Sequence, residues 1–267
     1  MQEELLTEVS VHLPFEKIQN CRDLGGMIGK DGRVIRPGKL FRSAKLSHAS
    51  KLDRITFEEL GLGCIVDLRS RAERNTEPDK PVEGAQLVED PVFLEMDLRK
   101  LAGGNEHLLK MALSNSRNMM EQLYASFVWS EDARKAWKLL FKVFLETDGG
   151  VVWHCTQGKD RTGIGAALIE YALGVDMDTI LTDYLQTNLY MSKNAARDRM
   201  LASAVFKKGK ALADDEIAGY LFAHRSYFEA FDRSIQEHYS SWDAFLKEGL
   251  DLTEEDLHNL QKKYLMD

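Results

Sequence analysis

Cys155-Thr156-Gln157-Gly158-Lys159-Asp160-Arg161 sets a thiol and a guanidinium in one short segment with five residues between them. Alone, that spacing is a weak signal. Its surroundings strengthen it. The run Val151-Val152-Trp153-His154 feeds a strand into the cysteine, Gly158 lies inside the segment, and Ile164, Ala167, Leu168, Tyr171 and Ala172 form an apolar helical face directly after the arginine. A strand–loop–helix of this kind aims backbone N–H groups and a helix N-terminus at one point, which makes an anion cradle. A cysteine at the base of the cradle feels the same field, so its thiolate is favoured below the free value of ~8.5. Arg161 can curl back and offer a planar fork to two oxygens of a tetrahedral oxyanion. Nucleophile, cradle and clamp together are what transfer of a phosphoryl group to sulfur requires.

Two other chemistries fail on spacing. A nucleotide-binding P-loop needs glycine five residues before Gly158 and Ser or Thr after the lysine; the chain has Trp153 and Asp160 there. No two of Cys21, Cys64 and Cys155 stand in a Cys-x-x-Cys pair. A phosphate-binding module without turnover remains as a reading from another class. Cys64 sits in an apolar run and reads as core, and His12, His48, His107, His224, His238 and His258 have no metal-ligand spacing with Cys, Asp or Glu.

The elements that must hold the segment can be read from periodicity. Gly63-Cys64-Ile65-Val66-Asp67-Leu68 and Gly150-Val151-Val152-Trp153-His154 have the pattern of buried parallel strands. Lys30-Asp31-Gly32-Arg33 is a turn signal, with Val34-Ile35 and Lys39-Leu40-Phe41-Arg42 beside it as a small β-meander. Apolar residues recur at helical spacing over 119–128, 133–144, 164–172 and 180–189. Ser130 is placed to cap the second of these helices, and Gly174 to stop the third. Thr253-Glu254-Glu255-Asp256 opens a last helix carrying Leu257, Leu260 and Tyr264. Strands alternating with helices predict an α/β fold, a central mostly parallel sheet flanked by helices, with a helical C-terminal extension. With 267 residues, five prolines and no linker-like tract, residues 1–267 read as a single domain. The net charge of −8 speaks against a nucleic-acid partner. No apolar run reaches the ~20 residues of a membrane span, the acidic first residues are unlike a signal peptide, and three cysteines suit a reducing, cytoplasmic setting.

His154-Cys155-x-x-Gly158-Lys159-Asp160-Arg161-Thr162-Gly163 resembles the signature loop of the cysteine-dependent protein tyrosine phosphatase superfamily. Asn20-Cys21-Arg22-Asp23-Leu24-Gly25-Gly26 narrows the likeness to the atypical bacterial tyrosine/lipid phosphatases, with Cys21 where that family usually has Phe. Arg36-Pro37-Gly38, Phe41-Arg42-Ser43, Asp67-Leu68-Arg69-Ser70, Asp183-Tyr184-Leu185-x-Thr187-Asn188 and Phe245–Leu250 are also similar. The resemblance implies a protein tyrosine phosphatase-like fold and hydrolysis through a phosphocysteine on Cys155, with no metal and no other cofactor. Arg161 and the amides of Thr156, Gln157, Gly158 and Lys159 would hold the phosphate oxygens. Thr162 would orient the sulfur (or merely cap the helix), and His154 would brace the loop. Asp160 is the first candidate for the general acid, then Asp67, then Asp97 or Asp90. Lys159 would add a cation at the mouth of the cradle for further phosphates, or be a solvated surface lysine. Arg42 and Arg69 either line the pocket or are ion-paired at strand ends. The leading substrates are phosphotyrosine proteins, with phosphoinositides as the alternative. The resemblance also makes residues 191–240 a candidate helical lid.

Overall fold

The computed structural model describes residues 8–92, 116–191 and 221–267. Its main sheet has six strands: β1 (Val11–His12), β2 (Arg22–Asp23), β4 (Leu40–Ser43), β7 (Gly150–His154), β5 (Leu62–Asp67) and β6 (Gln86–Glu89), in that spatial order. The last four run parallel, and β1 and β2 add antiparallel pairs at one edge. The mostly parallel sheet expected from the alternation of strands and helices is therefore present. In register, Ser43 and Asp67 both lie beside His154. The carboxyl ends of three adjacent strands thus finish level, and Cys155 follows at once. That edge is where open α/β sheets bind ligands.

The period-2 alternation of the strands builds two cores. Leu40, Cys64, Val66, Val151 and Trp153 face the larger one. It is closed by α3 (Ser116–Trp129), α4 (Glu131–Glu146), α5 (Asp160–Ala172), α6 (Met177–Met191), α7 (Arg225–Tyr239) and α8 (Glu254–Tyr264). Phe41, Ile65 and Val152 face the smaller core, with Cys21, Ile18 and Phe57 of α1 (Lys51–Glu59). Cys21 and Cys64 are therefore packing residues, and all three cysteines are free.

The caps follow the sequence signals. Ser130 accepts a hydrogen bond from the Ala133 N–H, Gly174 takes φ +82 just after α5, and Thr253 with Asp256 closes a capping box. The β-meander forms only in part. Ile28 bridges Val34 antiparallel across the turn at 30–33, but β3 (Val34–Ile35) goes on to pair antiparallel with β8 (Leu265–Met266), while β4 enters the main sheet between β2 and β7. All four residues of β4 are buried, as suits a strand inside the sheet and covered on both faces. Of the 191–240 segment, 192–220 lie outside the described residues. In the described remainder, α7 packs on α3, where Ser234 donates to the Ala125 carbonyl at 3.0 Å. Among the described residues no helix is long and apolar enough to cross a membrane.

Candidate active site

The loop between β7 and α5 is held from behind by its carbonyl groups. The Cys155 carbonyl lies 3.1 Å from His154 Nδ1, and the Thr156 carbonyl accepts from the Lys45 N–H at 3.3 Å. Asn20 Nδ2 donates to the carbonyls of Gln157 and Gly158 at 3.2 and 3.0 Å, and Arg42 donates to that of Gly158 at 3.1 Å. A peptide's N–H points opposite its C=O. Tying these four carbonyls outward therefore turns the N–H groups of residues 156–159 to the other side, toward the centre of the loop. The sharpest bend is at Gly158, with φ +68. A Cβ there would stand 2.5 Å from the Ser43 carbonyl oxygen. Gly158→Ala is expected to cost about 1–3 kcal/mol, read as a fall of roughly 3–10 °C in melting temperature. Gly26→Ala is the control: φ is +95 but nothing lies within 4 Å of its Cβ position, so it should cost less. Equal shifts would contradict the close approach.

Cys155 is buried at the base of this loop. Burial alone raises a thiol's pKa, but the charge of Arg161, with Thr162 beside it, outweighs it, even against the neighbouring Asp160 charge. The thiol ends below its ordinary value. Thr162 is buried in the first turn of α5.

The Arg161 fork already holds an oxyanion. Its two terminal nitrogens each lie 2.8 Å from an oxygen of Glu73, and Thr156 Oγ1 donates to the same carboxylate at 2.5 Å. Burial would raise the Glu73 pKa, but the guanidinium drives it far below the carboxylate range. Glu73 is the third residue of α2 (Arg71–Thr76), fixed there by a capping box with Ser70. The sequence reading missed it, although Ser70-x-x-Glu73 right after Asp67-Leu68-Arg69 carried the cap signal. This end-on grip leaves the Arg161 Nε without a hydrogen bond among the described residues, so one edge of the guanidinium is open for a second oxyanion.

The acidic candidates separate clearly. Asp160 opens α5 beside Arg161; its Oδ1 accepts from the Tyr124 hydroxyl at 2.6 Å, and its side chain is 23% exposed. Asp67 is buried, and both its oxygens are bound by the Arg69 guanidinium at 2.7–3.1 Å, so it serves as the ion pair that closes the strand end. Asp90 directly follows β6 and is pushed up to about 8 by burial. In the sheet order, however, it lies two strands from β7, or about 10 Å across the sheet. Asp97 is outside the described residues. Lys159 is neither a solvated lysine nor a cation displayed at a mouth. Its side chain is buried, with Nζ 3.6 Å from Asp160 Oδ1. The physical reason is position: it immediately precedes α5, and the chain carries it inward toward that carboxylate. Arg42 and Arg69 are buried ion-paired residues, bound to Asp183 and to Asp67 with Asp79.

Asp67, Asp79 and His154 offer ligand atoms within 4.8 Å of one another. Their negative charge is met by Arg69, 3.0 Å from Asp79, and by His154, whose Nε2 lies 2.8 Å from Asp79. Burial would lower the imidazole's pKa, but Asp79 and Asp67 hold it above its usual value. The cluster is a brace behind the loop, joined to it where His154 Nδ1 meets the Cys155 carbonyl.

The sequence matches the tyrosine phosphatase family over residues 13–266. It is 31% identical over 262 residues to a Cupriavidus necator protein named "Putative tyrosine-protein phosphatase", covering 95% of this chain and 88% of that one. It is 29% identical over 227 residues to the triple specificity protein phosphatase PtpB of Mycobacterium tuberculosis, covering 73% and 80%. A match to nearly the whole chain joins a buried, acidified cysteine and an oxyanion-holding arginine at the carboxyl edge of the sheet: the chain belongs to the tyrosine phosphatase family, hydrolases of phosphoric monoesters.

Proposed function

We propose that the chain hydrolyses phosphomonoesters, protein phosphotyrosine foremost, through a phosphocysteine on Cys155. The observation that carries this reading is a thiol acidified in spite of burial, beside a guanidinium with an open edge. In the first step the thiolate attacks phosphorus; an S–P bond forms and the ester P–O bond breaks. Asp160 gives its proton to the departing oxygen. The loop N–H groups of Thr156, Gln157, Gly158 and Lys159, with the Arg161 Nε edge, hold the three remaining oxygens. In the second step Asp160 takes a proton from water, whose oxygen attacks phosphorus, and the S–P bond breaks to return the thiolate. No step needs a metal.

Asp160 is preferred over Asp67 because both Asp67 oxygens are taken by Arg69, whereas Asp160 adjoins the clamp and keeps an exposed oxygen. Asp160→Asn is expected to slow alkyl phosphates by about 10²–10⁴-fold and activated aryl phosphates far less, because a good leaving group needs no proton. Asp90→Asn should spare both. Equal losses on the two substrate types would exclude Asp160. The phosphoinositide reading loses the support of a displayed Lys159. Rates on phosphotyrosine peptide, phosphoserine peptide and phosphatidylinositol phosphates, measured in chelator, decide between the substrates; the proposal expects phosphotyrosine peptide to be fastest.

A further inference from the structure

Asp160 does not stand alone. Tyr184 of α6 donates from its hydroxyl to that of Tyr124 on α3 at 2.8 Å, and Tyr124 donates to Asp160 Oδ1 at 2.6 Å. Both tyrosines are buried, and their rings meet edge-to-face with centroids 5.9 Å apart. We propose that Tyr124, backed by Tyr184, is a positioning residue for Asp160, fixing which carboxylate oxygen carries the proton that goes to the leaving group. This inference rests on the reading of Asp160 as general acid and adds the residues that orient it.

The argument is one of proton counting. A tyrosine hydroxyl has one proton to give. Tyr124 spends its proton on Asp160 and receives that of Tyr184, so the chain of donors points one way and ends on the carboxylate. Oδ1 also has the Lys159 ammonium 3.6 Å away. An oxygen faced by a donor and a cation is a poor site for a proton, which leaves Oδ2 to carry it on the more open side. The chain keeps its direction over the working pH range: burial, and then the charge of Asp160, push both tyrosines well above their ordinary values, so both stay protonated. Among the described residues, the other charged and titratable groups that interact with Asp160 are Cys155 and Arg161 from its own loop and helix and Tyr227 from α7. None of them replaces a donor at 2.6 Å. Helical periodicity marks Tyr124 and Tyr184 as core, and they are core, yet two phenylalanines would fill the same space without hydroxyls.

The test is kcat/KM on an alkyl phosphate and on an activated aryl phosphate, for wild type, Tyr124→Phe, Tyr184→Phe, Asp160→Asn and the Tyr124→Phe/Asp160→Asn double variant. In Tyr124→Phe the rate on the alkyl phosphate should fall roughly tenfold as the carboxyl loses its fixed orientation, and the rate on the aryl phosphate far less, because its leaving group needs no proton. Tyr184→Phe should act the same way but less. In the Asp160→Asn background Tyr124→Phe should change nothing further. Equal losses on the two substrates in Tyr124→Phe, with the alkyl phosphate still selectively slowed by Asp160→Asn, overturn the positioning role and leave the acid assignment standing. So does an equal loss from Tyr124→Phe with and without Asp160, which marks a packing effect. If Asp160→Asn slows both substrates equally, the acid assignment falls and this inference with it.

Discussion

Cys155→Ser is expected to abolish hydrolysis of an aryl phosphate, with a loss on the order of 10⁴-fold or more, while inorganic phosphate still binds. A serine hydroxyl in the same field stays protonated at neutral pH, so the nucleophile disappears. The anion cradle does not depend on the sulfur. Its geometry comes from carbonyls tied to Asn20, Arg42, Lys45 and His154, and its charge from Arg161. Removing a thiolate from its base relieves repulsion toward an oxyanion. Titration calorimetry with inorganic phosphate beside steady-state kinetics checks both halves. Turnover retained in the serine variant would contradict covalent catalysis, and lost phosphate binding would contradict a preformed cradle. The same pair of measurements separates an enzyme from a phosphate-binding module.

Arg161→Lys is expected to lower kcat/KM by about 10²–10³-fold, although the charge is kept. An ammonium is a point charge without the fork, so it cannot bind Glu73 end-on and also present an edge to substrate. Glu73, driven far below the carboxylate range by its guanidinium partner, would then be a partly buried anion with a poorer counterion beside the cradle, repelling a phosphate dianion. Steady-state kinetics checks this. A variant with near-normal kcat/KM would show that bidentate geometry does not matter here.

What the sequence made legible is what is local. The signature loop, the strand before it and the helix after it lie within about one supersecondary unit, so spacing and periodicity reach them directly. Cys155, Gly158, Asp160 and Arg161 belong to that unit. Contacts made across the fold were not legible: Glu73 reaches Arg161 from 88 positions away, and β3 pairs with the last residues of the chain. β6 is a short edge strand of mixed polarity whose residues are mostly exposed, so it offers neither an apolar run nor a clean alternation. Lys159 misled because a lysine in a polar loop looks solvated by type, and its burial is fixed by the turn into α5. Asp67 was ambiguous because a strand-end carboxylate suits an acid and an ion pair equally until Arg69 is seen wrapped around it.

The central claim is that Cys155 is a thiolate at neutral pH, and the most direct test is its ionisation. The ultraviolet absorbance of thiolate can be followed against pH as the difference between wild type and Cys155→Ser. Cys21 and Cys64 cancel in that difference, and burial raises both, Cys64 to about 11, so neither interferes near neutrality. The account predicts a midpoint well below the ~8.5 of a free thiol. A midpoint at or above that value would contradict it.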